Sequence, residues 1–527
     1  YYDVFSFYLK FIILLIKFLF KHMNSFTLIN KIFKSYLQNY FNLNNGEAGN
    51  QQLVFHRLMN LLSETKYGKQ FKIKPNISYE EFKNIIPINT YDDLKEQIYA
   101  MMNGEVDVLI PGKVVNYAKS SGTTSDFSKF IPITDAMIKE NHFAGGSMMI
   151  YYYLNANPDS RMLKGKHLVI FGSLTKENEV IKGDLSAHIS LNLPYFAKIK
   201  RIPPPDLVWD SEWETKFRSI SLISANKNVT AMYGVPSWCL KSIEKVLLLK
   251  NVNNIYDVWP DFEVYFHGGV NIDPYLPLYK KIFNEKLPIL WETYNASEGF
   301  FATQDTLVNN GMRLLTSIGV FYEFIDFQDF ISDKMNAITL DEVELNKNYV
   351  IVISALNGLW RYIVGDVVQF TTLNPYRLKI VGRTSQYINI AGEEVMIDNI
   401  ERAIMQACKI EHCSVNEYTV FADGPDENNR FFHHWIIEFN EAPNDFISFR
   451  NTLDEQLQSI NSDYNAKRYN DLILAPIRIT VAPNHTFYNW LKSKDRLGGQ
   501  NKIPRVAKNY AMITELLNII GDNYKLI

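Results

Sequence analysis

Apolar side chains recur at helical spacing from residue 24 to 65, where Ile29, Ile32, Phe33, Tyr36 and Leu37 mark the stripe. Two short helices are expected on either side of Pro87, the second starting from the cap Thr90-Tyr-Asp-Asp. From Val108 the pattern changes to apolar runs of strand length separated by amphipathic stretches. The runs are Val114–Ala118, Phe130–Ile133, His167–Phe171, Val229–Tyr233, Phe262–Phe266 and Pro288–Trp291. Strands that alternate with helices in this way predict an α/β layered domain. Gly319–Phe370 is richer in strands and reads as a small β subdomain. After Gly382-Arg383 a new βα pattern begins and runs to the end of the chain. A boundary near residue 383 leaves a C-terminal part large enough to be a separate α+β domain.

The run FIILLIKFLF (Phe11–Phe20) breaks this scheme. Lys10, Lys17 and Lys21 interrupt or flank it, it is shorter than the ~20 residues of a membrane-spanning helix, and no small-residue cleavage site follows. The first methionine is Met23, so residues 1–22 are expected to be an extension upstream of the native start; a weak membrane anchor is the alternative.

Composition narrows the function. The 527 residues suit two or three domains, and 47% apolar with 21% charged is ordinary for a globular protein. A net charge of −3 offers no basic face for nucleic acid. Cys239, Cys408 and Cys413 show no C-x-x-C pairing; so sparse and odd a set argues against a disulfide framework and suits the cytoplasm. The sequence leaves the oligomeric state open.

Five segments carry candidate chemistry. Ser120-Ser-Gly-Thr-Thr-Ser125 lies between two expected strands and offers hydroxyls and backbone N–H groups with little bulk, as a phosphate-cradling loop requires, with Lys129 nearby as a point charge. It lacks the G-K-[ST] of a Walker loop, and a plain polar hairpin turn reads equally well. Phe266-His-Gly-Gly269 permits close approach of a ligand or simply makes a tight turn. In Tyr294-Asn-Ala-Ser-Glu-Gly299 the ring of Tyr294 suits stacking on a base and Glu298 is a hard oxygen ligand suited to Mg²⁺, although taken alone the segment also reads as a strand-to-loop exit with an exposed Glu. Asp366 sits in an apolar β run and needs a partner, either a ribose diol or Arg361 in the same run. Lys502 lies on the Gly-rich loop GGQNKIPR, free enough to reach a second site or simply solvated. His433-His434 and the Met148–Tyr153 stretch read as structural.

Taken in order, these segments resemble the adenylate-forming superfamily of acyl-CoA synthetases, peptide-synthetase adenylation domains and luciferases. The wording SSGTTSDFSKFIPIT, YNASEGFFA, LWRYIVGDVV and GGQNKIPR is similar to the auxin-responsive Gretchen-Hagen-three family of acyl-acid amido synthetases, over roughly residues 24–527. The resemblance implies a large N-terminal ATP- and acyl-binding domain over 23–382 and a smaller mobile lid over 383–527. It implies ATP and Mg²⁺ as cofactors, a carboxylic acid and an amino acid or similar amine as substrates, and neither a membrane nor a nucleic acid as partner. Ser120, Ser121, Gly122, Thr123 and Thr124 would hold the phosphates; Gly269, Tyr294 and Ser297 would line the nucleotide; Glu298 would bind Mg²⁺. Asp366 would bind the ribose, Arg383 would mark the hinge, and Lys502 would reach the reacting phosphate.

Two departures stand out. Trp360 replaces the usual Tyr, and YINIAGEEVMIDNIE (Tyr387–Glu401) lacks the lysine that plant members carry after the hinge. The expected reaction is formation of an acyl-adenylate followed by transfer to an amine. The alternatives are a thioester-forming synthetase using coenzyme A and a non-catalytic nucleotide-binding homologue. Lys467, Arg468, Lys492, Lys494 and Arg496 are interleaved with Asp463, Asp471 and Asp495, which disfavours a patch for the coenzyme A phosphates.

Overall fold

The structure, a computed structural model, describes residues 30–35, 37, 47–120, 129–210, 213–269, 272–384, 387–388, 390, 393, 395–424, 426–427, 430–468, 474–494, 503–507, 510–521 and 525–527. The expectation for residues 1–22 falls outside these, as do Ser121–Thr124 and Lys502.

Local signals set the helix ends. Thr90 and Asp93 form a capping box at the start of helix Tyr91–Met102: the Asp93 carboxylate accepts from the Thr90 N–H at 2.7 Å and its hydroxyl at 2.6 Å. Ser78 and Glu81 do the same for Tyr79–Ile85. These helices, with Glu47–Glu64, bury Leu58, Leu62, Phe82, Leu94 and Ile98 in one core with Tyr322, Phe324, Ile351 and Ile353 of the strand-rich region.

Among the described residues, twelve strands form one mixed sheet. Ile289–Ala296, Val264–Gly268, Val229–Gly234, Lys166–Val169 and Arg201–Ile202 are successive parallel neighbours. On its other side Ile289–Ala296 is antiparallel to Gly299–Thr303, and from there the order runs through Met312–Leu314, Tyr376–Arg383, Tyr362–Leu373, Asn348–Ala355, Val320–Asp326 and Ala337–Thr339. The α/β region and the β-rich region therefore share one sheet, and Ile289–Ala296 is the seam where parallel pairing turns antiparallel.

The strands flanking the Ser/Thr loop, Asn116–Ser120 and Lys129–Ile133, pair antiparallel with Ser120 opposite Lys129, in a separate four-stranded sheet. Beyond the expected boundary, Ser414–Asp423, Phe432–Glu441, Arg478–Ala482 and Lys525–Leu526 form a further sheet covered by Ile397–Ile410 and Phe446–Ile460. Its core, including Ile388, Val420, Trp435 and Leu453, draws only on residues from 388 onward. Among the described residues, no helix is long and apolar enough to cross a membrane.

Candidate active site

Gly365 (φ 91°) bends the strand Tyr362–Leu373 just before Asp366, and register places Asp366 directly opposite Arg383 on the neighbouring strand. The buried Asp366 carboxylate accepts the Arg383 Nε–H at 2.8 Å on one oxygen and the Tyr294 hydroxyl at 2.6 Å on the other. Tyr294 belongs to the seam strand, four places along the sheet from Asp366, so the sheet curls to bring them together. Asp366 and Arg361 do not pair. The Arg361 guanidinium instead grips Glu323 at 2.8 Å in a fully buried ion pair and donates to the carbonyls of Lys83 and Ile86, both at 2.8 Å. Tyr79 adds its hydroxyl to Glu323 at 3.0 Å. The left-handed backbone of Arg361 (φ 44°) turns its side chain toward the helix Tyr79–Ile85, away from Asp366.

Ser297 and Glu298 form the two-residue turn between the seam strand and Gly299–Thr303. Asn357 donates to the Glu298 carbonyl at 3.2 Å, and the Glu298 side chain is buried. Burial pushes the Glu298 carboxyl upward; its own N–H works against this, nearby Asp366 adds to it, and Arg383 and Lys129 oppose it. The Tyr294 phenol is pushed up by burial and by Asp366, so it stays a donor. Arg383 is raised chiefly by Asp366. Its side chain remains 42% exposed, which leaves the guanidinium facing solvent on one side.

In the glycine pair, each residue is needed for its own reason. A side chain at Gly268 would collide with the Thr293 carbonyl of the seam strand, and Gly269 takes a left-handed φ of 79° at the exposed strand exit. The Tyr294 ring is packed edge-on to Phe301 at 4.9 Å, so in this conformation Tyr294 orients Asp366 through its hydroxyl. Ser120 ends its strand beside Lys129, which brings the start of the Ser/Thr loop toward Glu298. Gly269, Tyr294, Ser297, Glu298, Asp366 and Arg383 thus gather around the seam strand and its neighbours.

Sequence reasoning missed the support behind the seam strand. Met137–His142 forms a π-helical turn before the helix Phe143–Ala156, a feature common at functional sites. Asn141 holds Phe300 through both its N–H (2.7 Å) and its carbonyl (3.2 Å). His142 Nδ1 meets the Asn295 side-chain oxygen at 3.1 Å, and burial pushes its pKa down to about 4. No helical periodicity signals a π turn, and the polar run Lys139-Glu-Asn-His142 ahead of the apolar stretch from Phe143 reads as an ordinary exposed helix face. The residues read as structural are so: His433 pairs with Glu393, His434 with Asp423, and Met148, Met149 and Tyr153 are core.

Three family descriptions match the chain in order: the GH3 family N-terminal domain at 42–201, the central domain at 313–383 and the C-terminal domain at 398–511. An indole-3-acetic acid-amido synthetase of Arabidopsis thaliana is 22% identical over 89% of this chain and 90% of its own length. A jasmonoyl-L-amino acid synthetase of Oryza sativa subsp. japonica is 24% identical over 90% of this chain and 94% of its own. Among solved structures, an acyl acid amido synthetase in complex with 2,4-DB superposes with a TM-score of 0.75 at 18% identity, covering 94% of this chain and 97% of that one. A 2-hydroxyisobutyryl-CoA ligase shares the fold with a TM-score of 0.58 at 14% identity, covering 89% and 93%. The order of the three domains, and relatives matched along nearly their whole length, establish that this chain belongs to the GH3 family.

Proposed function

We propose that this protein is an AMP-forming ligase that activates a carboxylic acid with ATP and transfers the acyl group to an amino acid or similar amine. The observation that carries the reading is the convergence of Tyr294, Glu298, Asp366, Arg383 and Lys129, from segments far apart in sequence, at one seam of the sheet. An ionised carboxylate offers about four lone-pair positions. Two of those on Asp366 are taken by Tyr294 and Arg383, and the remaining two suit the two hydroxyls of a ribose. A scaffold role alone would not leave a carboxylate so oriented beside a second buried carboxyl.

Glu298 is the residue we assign to Mg²⁺. Among the described residues no group of three or more His, Cys, Asp and Glu is arranged to hold a metal ion, which fits a magnesium carried largely by the nucleotide's own phosphates with one carboxylate from the protein. When bound, the ion neutralises charge on the phosphate oxygens. Burial pushes the Glu298 carboxyl upward, and Arg383 and Lys129 counter that effect. The Ser120–Thr124 loop would donate to the phosphates, with Lys129 at its base; Gly269 and Ser297 would border the nucleotide. Lys502 would approach the α-phosphate from the C-terminal unit, which we place from residue 383 onward on the strength of its separate core.

In the first step a carboxylate oxygen of the acid attacks the α-phosphorus and pyrophosphate leaves. In the second the neutral amine attacks the acyl carbonyl, AMP leaves, and the amine gives up a proton. The relatives support the amide-forming branch, since the matched Arabidopsis protein is an indole-3-acetic acid-amido synthetase and the rice protein a jasmonoyl-L-amino acid synthetase. The sparse cysteines suit the cytoplasm, where we place the reaction. A screen of carboxylic acids for acid-dependent exchange of pyrophosphate into ATP tests the first step. Exchange that is absent with every acid, or unchanged in Asp366→Ala, would remove the site assignment.

A further inference from the structure

The helix Ile397–Ile410 ends in a Schellman turn. Glu411 is the C-cap, His412 takes the left-handed conformation (φ 51°), and the Cys413 N–H donates to the Cys408 carbonyl at 3.0 Å. This turn brings together the side chains three residues before the end and two after it, normally as an apolar contact. Here both positions are cysteine. The two thiols are within hydrogen-bonding reach of each other, and both are half-buried, whereas Cys239 is fully buried. The turn is held from outside as well: the Glu411 carboxylate accepts the hydroxyls of Ser448 at 2.9 Å and Thr452 at 2.6 Å from the adjoining helix Phe446–Ile460.

From this geometry we propose that Cys408 and Cys413 form a modification site, a vicinal dithiol that is reversibly oxidised to an intramolecular disulfide by small-molecule disulfides of the glutathione class. The polarity of the pair favours Cys413 as the attacking sulfur. Its thiol is pushed down by the hydrogen bond from Cys408, against burial and the nearby Glu411 carboxylate, while Cys408 is pushed up by the same bond and by burial. The Cys413 thiolate attacks one sulfur of the oxidant, forming a mixed disulfide and expelling one thiolate. The Cys408 thiol loses its proton and its sulfur attacks Cys413, expelling the second thiolate. The protein loses two electrons and two protons, and the oxidant disulfide becomes two thiols. Cys408 lies roughly 16 Å along the helix from Ile397, at the end remote from the hinge, and the site is independent of the nucleotide chemistry.

Trypsin cuts after Arg402, Lys409 and Arg430, so it separates the two cysteines. The full chain, reduced and then treated with glutathione disulfide, is quenched with a maleimide, digested and weighed. The expected result is peptides 403–409 and 410–430 joined as one species, without maleimide or glutathione, and separated again by dithiothreitol. In Cys408→Ser the resolving sulfur is gone, so Cys413 should instead accumulate glutathione. Separate wild-type peptides each carrying maleimide or glutathione would overturn the proposal. So would equal glutathione adducts on Cys413 in the wild type and the variant.

Discussion

Tyr294→Phe removes one oxygen atom and leaves the ring packing against Phe301 intact. It deletes the 2.6 Å bond that fixes one oxygen of the buried Asp366 carboxylate and leaves the Arg383 bond to the other oxygen in place. A hydrogen bond to a charged group contributes ~1.5–3 kcal/mol. At ~1.4 kcal/mol per factor of ten, the whole of that term appearing in nucleotide binding would raise the KM for ATP roughly 10- to 100-fold. That range is an upper bound, because a freed Asp366 can regain part of the loss through solvent. The maximal exchange rate at saturating ATP should fall much less, since the phenol does not touch the reacting phosphorus in this account. The assay is pyrophosphate exchange against ATP concentration, with Asp366→Asn and the double variant completing a cycle. The two single effects should not add, because both act on one carboxylate. A KM within twofold of wild type, or strictly additive effects, would refute the role given to the Tyr294–Asp366 bond.

Glu298→Gln should raise the Mg²⁺ concentration needed for half-maximal exchange while leaving the fold intact, as a magnesium titration with thermal unfolding as control would show. Lys502→Ala should bind ATP within a few-fold of wild type yet lose on the order of 10² in adenylation rate, measured by single-turnover formation of the adenylate. Arg361→Ala strands Glu323 as an uncompensated buried charge and should cost ~3–5 kcal/mol of stability, read as a lowered urea midpoint. His142, His167, His188 and His267 are each pushed down to about 4 by burial. Between pH 6.5 and 4 the unfolded chain therefore takes up protons that the native state refuses, and stability falls as pH falls, by on the order of 3 kcal/mol per group at pH 4. Urea midpoints across that range should decline, and less steeply in His142→Asn.

Short-range chemistry was legible in the sequence. Thr90 caps its helix where expected, and the six apolar runs fall on strands within a few residues, because turn and cap residues act on immediate neighbours. The site segments were legible as segments, but not how their side chains pair. Asp366 had two candidate partners in sequence, and the structure chooses Arg383 and Tyr294 because strand register and sheet curl, both long-range properties, decide the contact. Arg361 escaped for the converse reason: one left-handed residue reverses where the side chain points. The β-rich stretch read as a small subdomain is part of the twelve-stranded sheet, since pairing across Gly299–Thr303 joins it to the parallel strands. Cys408 and Cys413 looked unrelated because no C-x-x-C spacing links them; a left-handed His412 at the helix end brings them together.

The most direct test of the central claim is to supply the protein with ATP, Mg²⁺, an acid that supports exchange, and either the standard amino acids or coenzyme A, and to identify all products by mass. The account predicts AMP and pyrophosphate in equal amounts, with an acyl–amino acid amide formed in the first mixture and no thioester in the second. Release of ADP would contradict adenylation itself, and a coenzyme A thioester with no amide from any amino acid would contradict the amide-forming assignment.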